Sequence, residues 1–225
     1  SGNIRMNNLV KIKFCGMSKK KNIEVAIKLG VDWIGIIYVK TSPRYVDFKK
    51  SDSLINEFKG MINFVGVFVD ADDMLIRRAV NSGINSIQLH GKEDPKRCKE
   101  LRNNFNLPVI KAFSISKEND LVKVRRYKNC CDMILLDSKE FKREKNPGGN
   151  GRSFDWNIIK DNESWLNKFK PWILSGGLNN ENIIEALNLT KAKAIDISSG
   201  IEKDYGKKNI DLMEKFIFKV RKLKM

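Results

Sequence analysis

Residues 10–38, VKIKFCGMSKKKNIEVAIKLGVDWIGIIY, decide the fold that the sequence predicts. An apolar run at 10–14 is followed by an amphipathic stretch at 22–29, with apolar residues three or four apart, and then by a second apolar run at 33–38. Short β-type runs that alternate with helical patterns are typical of parallel strands joined by crossover helices. We therefore interpret this segment as one strand–helix–strand unit.

The same alternation continues along the whole chain. Amphipathic stretches follow nearly every apolar run, for example at 74–80, 121–127, 182–187 and 210–220. Eight such units in a chain of 225 residues favour a closed barrel over an open sheet. We predict an α/β protein, a (β/α)8 TIM barrel, with residues 1–225 as a single catalytic domain. The eight predicted strands are residues 10–14, 33–38, 64–69, 86–89, 109–112, 133–136, 172–174 and 194–197.

An open nucleotide-binding sheet is the alternative fold. The first run is followed by Cys15-Gly16-Met17-Ser18, which is not the glycine-rich turn of a dinucleotide site. Residues 200–208 resemble a P-loop only superficially, because Lys208 stands where a magnesium-binding hydroxyl is needed. Nucleotide hydrolysis is therefore not expected.

The formal net charge of +16 is typical of a nucleic-acid surface, of a field that attracts an anionic ligand, or of a solvated helix exterior. The lysines are scattered without an RNA-binding aromatic motif, so we favour the solvated exterior and expect no nucleic-acid partner. No apolar stretch is long enough for a membrane span. Four cysteines at unrelated spacings and one histidine indicate neither a metal site nor a disulfide framework, which fits a reducing cytoplasm.

Cys15 and Asp137 follow the first and sixth apolar runs. The carboxyl ends of parallel barrel strands carry the chemistry of such folds, so both residues are candidate catalytic groups. An ordinary thiol near pKa 8.5 is partly ionised in a mildly alkaline cytoplasm, so we expect Cys15 to act as a base with little tuning. An ordinary aspartate has lost its proton at neutral pH, so Asp137 needs burial or a nearby anion to act as an acid. The alternative is that Asp137 only caps the next loop.

Two late loops contain small residues directly after a strand and before a helix. Backbone amides at glycines and helix N-termini bind phosphate, and barrels commonly place a phosphate site after their seventh and eighth strands. Ordinary turn glycines would look similar. We predict a phosphate-binding site formed by Gly176, Gly177, Ser198, Ser199 and Gly200.

Three further residues are predicted to contact substrate or to support the site. Arg44 follows Ser42-Pro43 and can present its guanidinium as a fork for a carboxylate. His90 ends the fourth run as a substrate contact or a supporting residue. Asp196 is the expected partner of Lys13, whose ammonium should lie inside the barrel below Cys15 and must be paired there.

These residues, taken together, resemble the phosphoribosylanthranilate isomerases of tryptophan biosynthesis. The resemblance covers nearly the whole chain. It consists of ordered blocks at residues 13–17 (KFCGM), 42–46 (SPRYV), 65–69 (VGVFV), 88–91 (QLHG), 135–137 (LLD), 148–156 (GGNGRSFDW), 175–179 (SGGLN) and 196–202 (DISSGIE).

The resemblance implies an Amadori rearrangement of a phosphorylated sugar–anthranilate substrate, without a cofactor. It also implies Cys15 as general base, Asp137 as general acid, Arg44 on the anthranilate carboxylate and the late loops on the phosphate. The sequence departs from the family pattern at Phe14, Asn150 and Asn209, none of which is a catalytic group.

Two alternative functions stay open at this point. A sister sugar-phosphate isomerase, such as one of the histidine pathway, would be expected to carry aspartates at both catalytic strand ends, and Cys15 argues against it. The other alternative is a basic nucleic-acid-binding module. The protein is expected to be a monomer or a homodimer.

Overall fold

Eight parallel strands form one closed barrel in the computed structural model, which describes residues 9–138 and 155–223. β1 pairs with β2 on one side and with β8 on the other, which closes the ring. The predicted TIM barrel is therefore confirmed. The strands are β1 (Lys11–Cys15), β2 (Trp33–Ile37), β3 (Asn63–Phe68), β4 (Ser86–Leu89), β5 (Val109–Ile115), β6 (Met133–Ser138), β7 (Trp172–Leu174) and β8 (Ala194–Ile197).

Helices surround the barrel and have recognisable start and stop signals. In the third helix, the Asp72 side chain accepts a hydrogen bond from the backbone N–H of Leu75 at 2.8 Å, and Gly83 ends the helix at φ 105°. The buried Ile76 and Ala79 form its inner face. The helices are α1 (Lys20–Lys28), α2 (Phe48–Phe58), α3 (Asp73–Ser82), α4 (Pro95–Phe105), α5 (Glu118–Val124), α6 (Asn157–Phe169), α7 (Ile183–Thr190) and α8 (Ile210–Lys222).

Side chains of β1 alternate between the two layers of the molecule. Ile12 and Phe14 are fully buried in the large apolar core, and the Phe14 ring meets Phe216 of α8 edge to face at 6.4 Å. Lys13 and Cys15 share the opposite face, as the period of two predicts. The barrel interior therefore receives an ammonium and, one layer closer to the strand end, a thiol.

Besides shifts of one residue at the ends of β1, β2 and β3, two parts of the fold differ from the sequence prediction. β5 and β6 extend beyond their apolar runs, with Ser114 paired to Asp137, so Asp137 is part of a strand. After a 3-10 turn at Ser199–Ile201, the strands β9 (Glu202–Asp204) and β10 (Lys207–Lys208) form a small antiparallel hairpin that was not predicted. The pairing of strand ends, rather than local hydrophobicity, sets these boundaries.

The lysines behind the net charge lie mainly on the helical exterior. Lys20 and Lys21 of α1, Lys96 of α4 and Lys123 of α5 are all exposed. Because these lysines are spread over several helices, they form the solvated exterior that we favoured from the sequence. In the part of the chain that the structure describes, no helix combines the length and the apolar character needed to cross a bilayer.

Candidate active site

Cys15 is the last residue of β1 and is 7% exposed. Its neighbour in register on β2 is Gly35, where a Cβ atom would lie 2.7 Å from Cys15 Sγ. Gly16 has φ 74°, and a Cβ there would collide with the Arg44 side chain. The two glycines thus give the sulfur its space and let Arg44 approach the strand end.

A buried ion pair lies on the same strand below the thiol. Lys13 Nζ donates to Asp196 Oδ1 at 2.7 Å, and the Ser175 hydroxyl donates to Asp196 Oδ2 at 2.7 Å. The predicted pairing of Lys13 with Asp196 is confirmed. Burial lowers the pKa of Lys13, but Asp196 and Cys15 outweigh this effect, so that the pKa rises to about 12. Lys13 therefore keeps its charge.

The thiol of Cys15 is not an ordinary one. Burial raises the pKa of Cys15 above its usual value, and the Lys13 ammonium opposes this rise. The expectation that Cys15 needs little tuning is therefore wrong. A base at this position depends on the cations around it to gain thiolate character.

Asp137 lies on β6, three strands from β1 around the ring through β7 and β8. His90 Nε2 is 3.1 Å from Asp137 Oδ2, and His90 Nδ1 is 3.0 Å from Gln88 Nε2. The side chains of His90 and Asp137 are each 18% exposed, whereas Gln88 is 1% exposed. Asp137 is thus a partly accessible carboxyl group at the end of a hydrogen-bonded chain that leads back into the barrel wall.

The loop after β7 closes tightly on Asp137. Gly176 has φ 90°, and a Cβ there would lie 2.6 Å from Asp137 Oδ1 and would also collide with Ser138. Any side chain at this position would displace the carboxyl group. Gly176, predicted as a phosphate ligand, therefore also makes room for the candidate acid.

The two predicted phosphate loops meet each other. A Cβ at Gly200 would lie 2.9 Å from Asn179 Cα, so the loop after β8 touches the loop after β7. Gly177 has φ 65°, and its carbonyl accepts a hydrogen bond from Asn182 Nδ2 at 2.8 Å. This close approach requires the glycines that the sequence places there.

Ser198 has a different role from Ser199 within this pair of loops. The Ser198 hydroxyl donates to the Cys15 carbonyl at 3.1 Å, which ties the end of β8 to the end of β1. Ser199 is exposed at the start of the 3-10 turn. The loop that was predicted to bind phosphate is thus connected directly to the strand of the candidate base.

Arg44 is buried and held by the hairpin of β9 and β10. Its Nε and Nη2 donate to the two carboxylate oxygens of Glu202 at 2.5 and 3.0 Å, and its guanidinium lies 5.1 Å from the Tyr205 ring centroid. Lys208 Nζ donates to the same carboxylate at 2.8 Å and to the Ser198 carbonyl at 2.9 Å. The fork of Arg44 is thereby fixed in orientation by one anion.

Sequence reasoning missed Gln88, Glu202 and Lys208 as members of the site. Gln88 lies on β4 two residues before His90, which directly follows the strand, and this period-two spacing from a candidate residue was a usable signal. Glu202 is 158 residues from Arg44, and no local pattern connects them. Asn150, a departure from the family pattern, lies outside the described residues.

Comparison with known proteins gives one consistent result. A family model described as N-(5'-phosphoribosyl)anthranilate isomerase matches residues 12–219. The chain belongs to the phosphoribosylanthranilate isomerase family. An isomerase of that name from Zymomonas mobilis is 38% identical over 215 residues, covering 95% of this chain and 99% of the relative. The one from Parvibaculum lavamentivorans is 36% identical, covering 92% and 96%.

Solved phosphoribosylanthranilate isomerases share the fold. The crystal structure of the Thermotoga maritima enzyme has a TM-score of 0.84 at 31% identity, covering 96% of this chain and 100% of that chain. A second isomerase structure, in complex with reduced 1-(o-carboxyphenylamino)-1-deoxyribulose 5-phosphate, has a TM-score of 0.81 at 29% identity, with the same coverage. The family resemblance of the sequence is confirmed along nearly its whole length.

Proposed function

We propose that this chain converts N-(5'-phosphoribosyl)anthranilate into 1-(2-carboxyphenylamino)-1-deoxyribulose 5-phosphate, with Cys15 as general base and Asp137 as general acid. The family membership supports the reaction. The observation that carries the site assignment is that a thiol and a carboxyl group stand at the same end of one barrel, with two touching glycine loops between their strands in the ring.

The reaction begins with proton donation by Asp137. The Asp137 carboxyl group gives its proton to the ribose ring oxygen, the bond between that oxygen and the anomeric carbon breaks, and a Schiff base forms with the anthranilate nitrogen. A partly buried carboxyl group with a hydrogen-bonded neighbour on one oxygen suits this step. Gly176 has no side chain and leaves room for that group.

Proton removal by Cys15 completes the chemistry. The Cys15 thiolate takes the proton from the sugar carbon next to the Schiff base, and the electron pair moves to the nitrogen to give an enolamine. The enolamine then tautomerises to the ketose product. The Lys13 ammonium favours the thiolate, since it opposes the effect of burial on the thiol.

The ends of the substrate are bound by different parts of the rim. The phosphate binds between the loop with Gly176 and Gly177 and the loop with Ser199 and Gly200. Arg44 contacts the anthranilate carboxylate, and Glu202 orients its guanidinium for that contact. Both anionic groups of the substrate thereby keep the sugar between Cys15 and Asp137.

Side chains alone perform the two proton transfers, so the proposal includes no cofactor and no metal. Cys98, Cys130 and Cys131 are buried free thiols, and burial raises the pKa of Cys98 to about 12. These free thiols suit a reducing cytoplasm as the location.

We infer that the protein is a monomer or a homodimer. One solved relative, from Thermotoga maritima, is described as dimeric.

The direct test is a fluorescence assay that follows the loss of N-(5'-phosphoribosyl)anthranilate with purified protein. Catalysed loss by the wild type, slowed by a factor on the order of a hundred or more in Cys15→Ser, is the expected result. The aminoaldose phosphate of the histidine pathway is the comparison substrate. Turnover of that compound alone would assign the chain to the sister isomerases, and turnover of neither would reject the proposal.

A further inference from the structure

The Gln88 side chain has an unusual hydrogen-bonding state. It is 1% exposed, its Nε2 lies 3.0 Å from His90 Nδ1, and its Oε1 is buried without a hydrogen-bond partner among the described residues. Buried polar atoms are nearly always paired, so an orphaned oxygen next to a candidate catalytic pair calls for an explanation.

With the amide nitrogen facing His90 Nδ1, as in the structure, the hydrogen bonds suit one arrangement of protons on the Gln88–His90–Asp137 chain. When Gln88 N–H donates to His90 Nδ1, the neutral ring carries its proton on Nε2 and donates it to Asp137 Oδ2. Asp137 is then an anion without a proton to give. This is the state expected after the acid step.

A second orientation accommodates one more proton. Rotation of the amide by half a turn exchanges its oxygen and nitrogen, so that Oε1 accepts from Nδ1–H. His90 Nε2 and Asp137 Oδ2 then share the remaining proton, which can sit on Asp137 and pass to a substrate oxygen. The rotation breaks no bond of Oε1 to the described residues, because none of them pairs with this oxygen in the observed orientation.

We propose that the Gln88 amide is a positioning device for the general acid, because its rotation decides whether the His90–Asp137 pair can hold the catalytic proton. The catalytic meaning of this inference rests on the proposed role of Asp137. Gln88 does not touch substrate and acts through His90. The distance of 3.0 Å between Gln88 Nε2 and His90 Nδ1 lets the amide act on the ring directly.

In the part of the chain that the structure describes, the charged groups near Gln88, His90 and Asp137 have partners. Lys111 of β5 donates to Glu93 at 3.0 Å and to the Gly91 carbonyl at 2.8 Å. Asp70, after β3, accepts from the Lys92 N–H at 2.8 Å, and β7 contributes only apolar side chains. Cys15 and its partner Lys13 belong to β1, on the other wall. These pairs form a constant background against which a change at Gln88 can be measured.

The experiment uses the fact that the chain has one histidine. In protein labelled with ¹⁵N-histidine, the shifts of the two ring nitrogens report directly which of them carries a proton. At high pH we expect a bare Nδ1 and a protonated Nε2. As the pH falls, Nδ1 should become protonated. Protonated Nδ1 at every pH would overturn the proposal.

Two substitutions should move this titration in opposite directions. Gln88→Met removes both the donor to bare Nδ1 and the acceptor for Nδ1–H; the hydrogen bond of the protonated ring is the stronger of the two because it is charge-assisted, so the midpoint should fall by about one pH unit. Gln88→Glu provides a permanent acceptor and should raise the midpoint by a similar amount. Asn180→Leu is the matched control, because Asn180 is also a buried amide with an unpartnered oxygen, 2% exposed, near the phosphate loops. It should leave the midpoint in place.

Kinetics give a second readout. The alkaline limb of kcat should follow the same order, Met below Gln below Glu, while KM changes less than about twofold. An unchanged midpoint in Gln88→Met would overturn the proposal whatever Gln88→Glu does, because a carboxylate beside the ring raises the midpoint by its charge alone. The nuclear magnetic resonance result stands even if the protein does not turn over N-(5'-phosphoribosyl)anthranilate, so failure of the function and failure of the inference are distinguishable.

Discussion

The walls that carry Cys15 and Asp137 are built on different principles. The Cys15 wall is cationic: Lys13 lies below the thiol, and Arg44 and Lys208 converge on Glu202 beside it. The Asp137 wall is a chain of polar groups, in which an amide and an imidazole lead to the carboxyl group. The two walls match the opposite tasks of their residues.

This difference between the two walls shows how one barrel can favour a thiolate at Cys15 and a proton donor at Asp137 on the same rim. Positive charge favours the thiolate that a base needs. An acid needs neighbours whose hydrogen bonds are compatible with the protonated carboxyl group and do not stabilise only the carboxylate. Glu202 pairs with Arg44 and Lys208, and its negative charge offsets part of the positive charge beside Cys15.

The largest effects are expected from the reacting groups themselves. Cys15→Ser and Asp137→Asn should each lower kcat by a factor on the order of a hundred or more while KM stays close to its wild-type value. Steady-state fluorescence kinetics with N-(5'-phosphoribosyl)anthranilate measure both parameters. Near-wild-type turnover by either variant would remove that residue from the mechanism.

The glycine next to each group gives the next test. Gly176→Ala places a Cβ 2.6 Å from Asp137 Oδ1 at a φ of 90°, and a displacement of the acid should lower kcat about a hundredfold. Gly35→Ala places a Cβ 2.7 Å from Cys15 Sγ without a left-handed backbone, so about a tenfold loss is expected.

Gly60→Ala is the control for backbone strain. Gly60 has φ 77°, and a Cβ there meets nothing within 4 Å. Its kcat should stay unchanged while its thermal stability falls slightly. Equal kcat for Gly176→Ala and Gly60→Ala would show that crowding of Asp137 does not matter.

The sequence alone predicts the strand boundaries more accurately in some parts of the barrel than in others. The bounds of β4, β7 and β8 agree with the predicted runs. β6 continues to Ser138, since pairing with β5 outlasts the apolar residues. Cys15 and Asp137 could be placed by strand periodicity.

Contacts between distant segments could not be derived in this way. Glu202 reaches Arg44 from a hairpin of five strand residues, too short to produce a pattern. The pKa of Cys15 likewise depends on its burial in the fold, which cannot be derived from the residues next to it in the sequence. The sequence predicts which groups are present at the rim and leaves open how their charges combine.

A smaller effect is expected to distinguish two buried lysines, Lys13 and Lys111. Lys13→Met should lower kcat about tenfold and move the acidic limb of the profile to higher pH, because loss of the ammonium raises the pKa of Cys15 further. The pH dependence of kcat measures this shift.

Lys111→Met is the matched control. Lys111 is also a buried ammonium paired with a carboxylate, Glu93, at 3.0 Å, but it lies on β5. Each substitution breaks a buried ion pair, which costs about 3–5 kcal/mol of unfolding free energy by chemical denaturation. The acidic limb should stay in place in Lys111→Met. The same shift in both variants would assign it to general destabilisation.

The smallest effect is expected at Arg44. Arg44→Lys loses the fork but keeps the charge, so KM should rise several-fold with less change in kcat. Arg78→Lys, which alters a surface pair with Asp52, serves as the control and should change neither parameter. An unchanged KM in Arg44→Lys would show that the carboxylate binds elsewhere.

The most direct measurement is a crystal structure of this protein with reduced 1-(o-carboxyphenylamino)-1-deoxyribulose 5-phosphate. The account predicts the phosphate between Gly177 and Gly200, with Cys15 Sγ and the Asp137 carboxyl group within hydrogen-bond reach of the sugar from two different sides. A complex in which either group lies out of reach of the sugar, or both approach it from the same side, would contradict the account.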